Sequence, residues 1–425
     1  MNDERPPAAV VHAKSSPTGE EKHRENDFNY SIRYIRWLLR ILGIWDLIVT
    51  EPTRFEKYLS KLILPFASIS MITLTLPVCC HIILRPVDHF EMIILLGPIT
   101  FQTANIIMHL VLVLRSRTLG LCIRHMEKDW RGNIENPKEH DIMKKHVRFS
   151  HLSTVACIFF MYASAIAYFL IMPLLSGTRL NAKNETVRPR PFPGTDIFLD
   201  VQANVIYELI FTMNFMSGLF HYTVTTVVCI LAVVLVSHTC GQIRIVVWNL
   251  EDFSNQITEK TNADDRVIKE RIRIIVKKHV RLIKFTITIE EALKEIFLME
   301  VVASTLIICF IEYDIIIVAD QNNSDFMGTF TYLILLIAFA FNLFLFCRFG
   351  EVLREQSGEI GKVAYTVDWY RLRGKTKLAF MMIIHMANTP CELTAGGMME
   401  LSIASFASII KTSLAYFNML RKMGQ

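Results

Sequence analysis

Charged side chains are absent, or nearly so, from six long stretches of this 425-residue sequence: 62–84, 92–114, 152–175, 209–237, 301–318 and 326–347. A seventh, 401–420, is interrupted only by Lys411. Crossing a hydrocarbon core takes about 20 residues of helix, so this absence excludes an ordinary soluble domain. Cysteine is missing from the polar segment 176–208, and Cys79, Cys80, Cys157, Cys229, Cys309 and Cys347 fall in or at apolar stretches. With no Cys-x-x-Cys pair either, neither a disulfide framework nor a metal site is expected. No Ser/His/Asp set and no phosphate-binding glycine loop stands in a usable position, and the histidines are scattered. Enzymatic chemistry therefore finds no support, and no cofactor is called for. Residues 1–27 are polar and charged, without the apolar core of a cleavable signal. The first span is expected to serve as the insertion signal.

What the sequence does have is an uneven distribution of Lys and Arg. With the amino terminus in the cytoplasm, segments 1–61, 115–150, 238–300 and 348–377 lie inside and hold 37 of the 45 basic residues. The outer segments 85–91, 176–208, 319–325 and 421–425 hold 7. That is the asymmetry expected of cytoplasmic loops. Seven spans then leave the carboxyl terminus outside, the reverse of a G-protein-coupled receptor. The net charge of +5 reflects basic loops facing anionic membrane lipid, and not nucleic-acid binding. The sequons at Asn184 and Asn322 fall on outer loops and are glycosylation candidates, whereas the one at Asn29 falls inside.

The expected fold class is an all-α polytopic membrane protein with seven transmembrane helices. Residues 1–27 read as disordered. Over 28–48, Tyr34, Ile35, Leu38, Leu39, Leu42 and Trp45 recur at helical spacing, with Arg33, Arg36 and Arg40 between them. Such a helix lies at the inner interface or packs on the bundle. Segment 263–298 mixes Val267, Ile274, Val280, Ile283 and Ile287 with dense charge of both signs. It predicts helices over 209–250 and 264–318 that project well past the membrane and pack on one another. No convincing inverted repeat is found, which counts against a secondary transporter.

A helical pattern over 377–387, too short to span, is interrupted by Pro390 and Gly396-Gly397 before the last apolar stretch. In that stretch Leu401, Ser405, Ser408, Thr412, Ala415 and Met423 lie within about 40° of Met419. Ile403, Phe406, Ile410, Leu414 and Phe417 lie roughly opposite. A small, hydroxyl-rich stripe faces either a close neighbouring helix or water. It becomes a pore lining when several copies surround an axis.

Tyr365…Trp369-Tyr370, the turn Pro390…Leu393-Thr394-Ala395-Gly396, and Leu401-Ser402…Phe406…Ile409-Ile410-Lys411…Tyr416-Phe417…Leu420 together resemble the C-terminal signature of insect odorant receptors. Leu39…Leu42-Gly43-Ile44-Trp45 is similar to the element before that family's first span, with Asp46 where many members have Pro. The resemblance implies a ligand-gated, non-selective cation channel in the plasma membrane of olfactory sensory neurons. It implies a heterotetramer in which a ligand-specific subunit joins a shared olfactory co-receptor, and Lys411 with the shorter second inner loop resembles the ligand-specific one. Gustatory receptors share the architecture, but their Thr-Tyr…Gln-Phe ending is absent. The implied layout is a tail and interfacial helix (1–61), four spans with a ligand-binding outer half (62–237) and anchor helices (238–300). Two further spans (301–347), an anchor loop with a short helix (348–397) and a pore-lining helix (398–425) follow. A metabotropic seven-helix receptor or a membrane transporter of small lipophilic molecules remains the alternative.

The same resemblance places a pocket for a small volatile odorant among spans two, three, four and six. Available aromatics are Phe101 from the second, Tyr162 and Phe169 from the third, Tyr207, Phe211 and Phe215 from the fourth, and Phe330 and Tyr332 from the sixth. Volatile ligands offer few polar handles, so apolar burial must supply most of the binding. Aromatic stripes at helical spacing serve core packing or lipid contact equally well. Matching the terminal helix to the family puts Met419 at a hydrophobic gate, with Met423, Ala415, Thr412 and Ser408 on the same stripe. Lys411, on its shoulder, is a candidate vestibule charge. Glu312 and Asp314, near the outer end of the fifth span, either attract cations to the mouth or snorkel to the interface.

Overall fold

The computed structural model describes residues 19–49, 53–133, 136–175, 179–180, 186–188, 192–198, 201, 203–259, 265–321, 326–372 and 374–423. Asn184 and Asn322 lie outside the described residues. Seven helices among those described are long and apolar enough to cross a membrane. The chain opens with α1 (Gly19–Ser31), α2 (Arg33–Ile41) and α3 (Trp45–Ile48), followed by α4 (Arg54–Leu84), the first span. The second and third spans are α5 (His89–Leu114) and α7 (Pro137–Ile166), linked by α6 (Ser116–Lys128) and a π turn over Asp129–Asn133. A second π turn (Ala167–Ile171) and α8 (Met172–Leu175) complete the third span. The fourth to sixth are α9 (Asn204–Glu259), α10 (Asp265–Gln321) and α11 (Phe326–Thr366), then come α12 (Lys375–Ala387) and the terminal α13 (Ile403–Met423).

The central post is α9. Val224, Val227, Val228, Ile230, Leu231, Val233, Leu235 and Val236 are all buried, with polar neighbours Thr223, Thr225 and Thr226 buried too. A helix that is apolar all round belongs in the middle of a bundle. The β-branched run carries a small helix penalty from restricted χ1 rotation, which burial on every side overrides. The threonines satisfy themselves locally: Thr226 Oγ1 donates to Tyr222 O (2.7 Å). Thr225 Oγ1 donates across to Asn105 Oδ1 on α5 (2.7 Å).

Past the apolar stretches, α9, α10 and α11 continue and pack on one another, as their mixed charge predicts. Phe253 of α9 stacks on Phe380 of α12 with ring centroids 5.5 Å apart, and Arg271 Nη1 meets Asp252 Oδ2 at 2.9 Å. The link between spans two and three joins them through Asp129, whose carboxyl is 1% exposed. Arg281 Nη2 of α10 lies 2.5 Å from its Oδ1. Its Oδ2 accepts from His238 Nε2 of α9 (3.1 Å), with His125 Nε2 of α6 at 3.5 Å. Burial alone would push this carboxyl up; the hydrogen bond and the positive neighbours outweigh it and hold it below the ordinary carboxylate range. The neighbouring His125, stacked on Phe285 at 4.3 Å, is pushed down to about 4, chiefly by burial.

The amino end departs from expectation in two ways. Residues 19–27 belong to α1 instead of a disordered tail, because Phe28 is buried and Asp27 Oδ2 engages His140 Nε2 (2.8 Å) and Lys144 Nζ (3.5 Å) of α7. The single helix expected over 28–48 is broken at Gly43, which adopts φ +69. A Cβ there would sit 2.6 Å from the Leu64 backbone nitrogen, so the close approach and the left-handed turn both require glycine. The resulting segments pack on the bundle through buried Ile35, Leu38, Leu39, Leu42 and Trp45.

The turn before α13 is fastened to its neighbours. Thr394–Ala395 pairs with Met399–Glu400 around Gly396 and Gly397, both at positive φ. Gly396 N donates to Lys294 O (2.8 Å) and Thr394 N to Glu290 Oε2 (3.1 Å), both on α10. Helix α13 then lies on α10 and α11, burying Ile409, Ser413 and Phe417.

Candidate ligand cavity and terminal helix

A cavity lies within the bundle, toward the end where α9 begins and α10 ends. It is small, about 40 Å³. A water needs roughly 10–15 Å³ on that measure, so the space as it stands fits a few small atoms, and a larger guest must spread the walls. The walls come from α4 (Leu74), α5 (Gly97, Pro98, Phe101, Gln102), α9 (His221, Tyr222), α10 (Ile307, Ile311, Asp314) and α11 (Tyr332, Leu335, Phe339). The second π turn adds Tyr168 and Phe169, and the loop before α9 adds Phe192.

Of the aromatics picked from the sequence, Phe101, Phe169 and Tyr332 line this cavity. The other five do not. Tyr162 instead bonds Thr223 Oγ1 (2.7 Å), tying α7 to α9. The π turn explains the change: an extra residue in the turn rotates Phe169 away from the face it would share with Tyr162 in a regular helix. It also brings Tyr168 and Phe169 to the cavity in succession. Tyr207 stacks on Phe211 (6.0 Å) at the start of α9, with the Arg188 guanidinium over its ring at 5.2 Å. Phe215 is half-buried against the core. Tyr222 shares their helical face seven residues beyond Phe215, about 10 Å further along α9. The expected face is therefore the lining face, but the cavity sits deeper. Phe330 is 49% exposed, on the far side of α11 from Tyr332.

Phe192 is the least foreseeable wall. It is buried between Tyr168 (5.7 Å) and Phe169 (5.8 Å), held by the turn at Gly194, where φ is +103 and a Cβ would lie 2.1 Å from Pro77 O. Asp196 in the same turn pairs with Arg85 (2.7 Å). The one signal in the sequence was an aromatic set between prolines, Pro191-Phe192-Pro193-Gly194, in an otherwise polar loop. Asp314 turns inward instead of toward a channel mouth: it is 5% exposed and lines the cavity. Glu312 is a separate group, outside the lining.

At the start of the stripe on α13 Leu401 is buried and Ser405 Oγ donates to Glu400 O (2.6 Å), so only its later part, from Ser408 on, faces away from the described chain. Ser408, Lys411, Ala415 and Met419 are exposed, Met419 at 59%, and Thr412 is half-buried. The side chain of Met423 lies outside the described residues. On the opposite side, Phe417 packs with Cys309 and Tyr313 of α10, and Ile316, Ile317 and Leu420 join that cluster. Helix α10 therefore turns Ile307, Ile311 and Asp314 to the cavity and Cys309, Tyr313 and Ile316 to α13, on roughly opposite faces.

Seven helices long and apolar enough to cross a membrane, packed around an aromatic cavity, define a polytopic α-helical membrane protein. The model of the 7tm Odorant receptor family matches residues 91–414, and the chain belongs to that family. It is 25% identical over 314 residues to Odorant receptor 13a of Drosophila melanogaster, covering 69% of this chain and 70% of that one. Odorant receptor 10 of Aedes albopictus is 24% identical over 264 residues (60% and 64%). The Odorant receptor coreceptor of Aedes aegypti is 22% identical over 160 residues (38% and 33%). The fold is that of the insect olfactory receptor OR5 from Machilis hrabei, solved in complex with eugenol. The TM-score is 0.76 at 14% identity, covering 95% of this chain and all of that one.

Proposed function

We propose that this chain is the ligand-specific subunit of an odorant-gated, non-selective cation channel, working with the olfactory co-receptor in the plasma membrane of sensory neurons. The observation that carries the reading is the double role of α10, one face on the aromatic cavity and the other on the terminal helix. A small volatile that spreads the cavity walls moves the helix on which Phe417 rests. The stripe from Ser408 to Met419 is left largely uncovered by the described residues, which suits helices gathered around a shared axis, with Met419 as an apolar constriction. Lys411, on the shoulder of the stripe, makes the pore asymmetric when only some subunits carry it. The amino terminus and the projecting ends of α9–α11 lie in the cytoplasm, consistent with the distribution of Lys and Arg.

The test is whole-cell current in a heterologous cell expressing the chain with and without an insect olfactory co-receptor, against a broad volatile panel. Fast, reversible inward current that needs both subunits supports the reading. Responses that persist without the co-receptor, or vanish when G proteins are disabled, sink it. A carboxyl-terminal tag reachable by antibody on intact cells supports the orientation, and one reachable only after permeabilisation refutes it.

A further inference from the structure

The cavity wall contains polar atoms with nothing to bond. Oδ1 of Asp314 and both Oε1 and Nε2 of Gln102 have no hydrogen-bond partner among the described residues. Both side chains line the cavity and are deeply buried, 5% and 1% exposed. Around them the wall is largely aromatic, and neither Lys nor Arg contributes to it. Buried polar groups are satisfied in nearly all folded proteins, and unpartnered ones aimed into a cavity mark where an entering molecule can bond. Nδ1 and Nε2 of His221, also on the wall, are unpartnered too; a neutral imidazole carries one donor and one acceptor, so three of the five atoms are acceptors. Ionised, or protonated on its other oxygen, Asp314 presents Oδ1 as an acceptor, and that atom is met by a donor.

We infer that the ligand of this cavity is a small molecule with an apolar body and a hydrogen-bond-donating head, a hydroxyl or an amine, received by Asp314 of α10. The inference rests on the receptor reading above and adds the ligand's chemical class to it. A hydroxyl donates to the carboxyl and still accepts from an amide such as that of Gln102. An amine donates more than once, and its charged form meets both a carboxylate and the faces of the surrounding rings. An ether, ester or ketone can accept from Gln102 Nε2 but brings no donor for Asp314 Oδ1, and a hydrocarbon meets neither. Sites that bond a ligand's OH or NH reject analogues lacking it far more strongly than apolar pockets reject a change of size. Because Asp314 shares α10 with the contacts to α13, the polar head also acts on the helix that reaches the terminal span.

The experiment compares sets of ligands with one body and different heads: benzyl alcohol, benzylamine, benzyl methyl ether and ethylbenzene, repeated on linear bodies of six to ten carbons. Two readouts are taken, current with the co-receptor and thermal stabilisation of the purified complex. The expected result is a half-maximal concentration at least about tenfold lower for an alcohol or an amine than for its matched ether and hydrocarbon. The comparison of alcohol with amine identifies which head is used. Asp314→Leu should erase the preference while leaving the ether response within about threefold of the parent, with surface biotinylation as the folding check. Should that variant fail to reach the surface, Asp314→Asn keeps an acceptor and should lose amine responses but retain those to alcohols. Equal potency across the four heads, a preference that survives Asp314→Leu, or amine responses that survive Asp314→Asn, overturns the inference and leaves the receptor reading standing. No co-receptor-dependent current and no stabilisation by any member of the panel overturns both.

Discussion

Replacing Asp129 by Asn should loosen the junction between the span-two/three link and the projecting parts of α9 and α10. The isostere keeps the shape of a side chain that is 1% exposed but removes its charge and converts one acceptor to a donor. His238 Nε2 donates to that carboxyl (3.1 Å) and Arg281 is its ion-pair partner (2.5 Å), so the variant leaves a cation facing a neutral amide. Removing one partner from a buried ion pair costs about 3–5 kcal/mol. The Arg281 side chain is a third exposed and can turn part of its guanidinium to water, which lowers the expected loss to about 2–3 kcal/mol. The assay is hydrogen exchange across 129–133 and 238–245 in the purified chain, with the double variant Asp129→Asn/Arg281→Leu beside both single ones. Taking away the stranded cation should return about 1–2 kcal/mol relative to the sum of the single effects. A loss below about 0.5 kcal/mol for Asp129→Asn, or strict additivity in the double variant, would refute the ion-pair account of this junction.

Other expectations concern pH, the cavity and the terminal helix. The folded chain holds His125 at about 4, below its ordinary 6.5, so as pH falls through that interval the unfolded chain takes up a proton that the folded chain refuses, and stability drops. The full interval is worth about 3 kcal/mol, and the quarter-exposed ring reduces the expected loss to about 1–2 kcal/mol. His125→Phe should flatten the fall in unfolding free energy between pH 6.5 and 4. A Cβ on Gly218 would lie 2.5–2.6 Å from the Phe169 ring; Gly218→Ala should cost about 1–3 kcal/mol and, by driving the ring into the cavity, weaken ligand-induced thermal stabilisation. In the proposed channel Met419→Ser should raise basal current when co-expressed with the co-receptor, and unchanged basal and evoked currents would remove Met419 from the gate.

The spans were legible because charge is so expensive in hydrocarbon that its absence over twenty residues has few other readings. The projecting helices were legible from mixed charge at helical spacing, and the short α12 from the breakers that follow it. The cavity was only half legible. Aromatic spacing identified a face of α9 but not its depth, since that face continues unchanged from Tyr207 to Tyr222. The π turn at Ala167–Ile171 has no sequence signature comparable to a cap or a proline, and it decided that Tyr168 lines the cavity while Tyr162 does not. Asp314 stood out as an acid within an apolar stretch, but a helical wheel does not say which side of α10 meets the bundle. Helix α1 was missed for the opposite reason: its polar sequence has little apolar face, and it is held by Phe28 and by Asp27 on a distant helix.

The arrangement of α10 limits how a ligand could act in the proposed channel. Interior packing is close to that of a crystal, so a guest larger than the few atoms the cavity now admits must displace a wall. The walls on α5 and α9 are braced from behind: Asn105 and Thr225 bond each other, and α9 is buried on its remaining faces. The α10 wall has behind it Cys309, Tyr313 and then α13, a helix that rests on the bundle along one side only. The yielding direction is therefore toward the terminal helix. A ligand shifts gating only by its preference for one arrangement over another, and a hundredfold preference supplies about 2.7 kcal/mol. That is comparable to filling or emptying a contact such as Phe417 on Tyr313, since burial of one aromatic side chain is worth about 1.5–3 kcal/mol. A single small guest thus carries enough free energy to exchange one packed contact on α13 for another. Substituting Tyr313 by Leu should accordingly change the ligand dependence of opening while leaving ligand-induced stabilisation of the cavity nearly intact, and equal losses in both measurements would show that α10 does not carry the coupling.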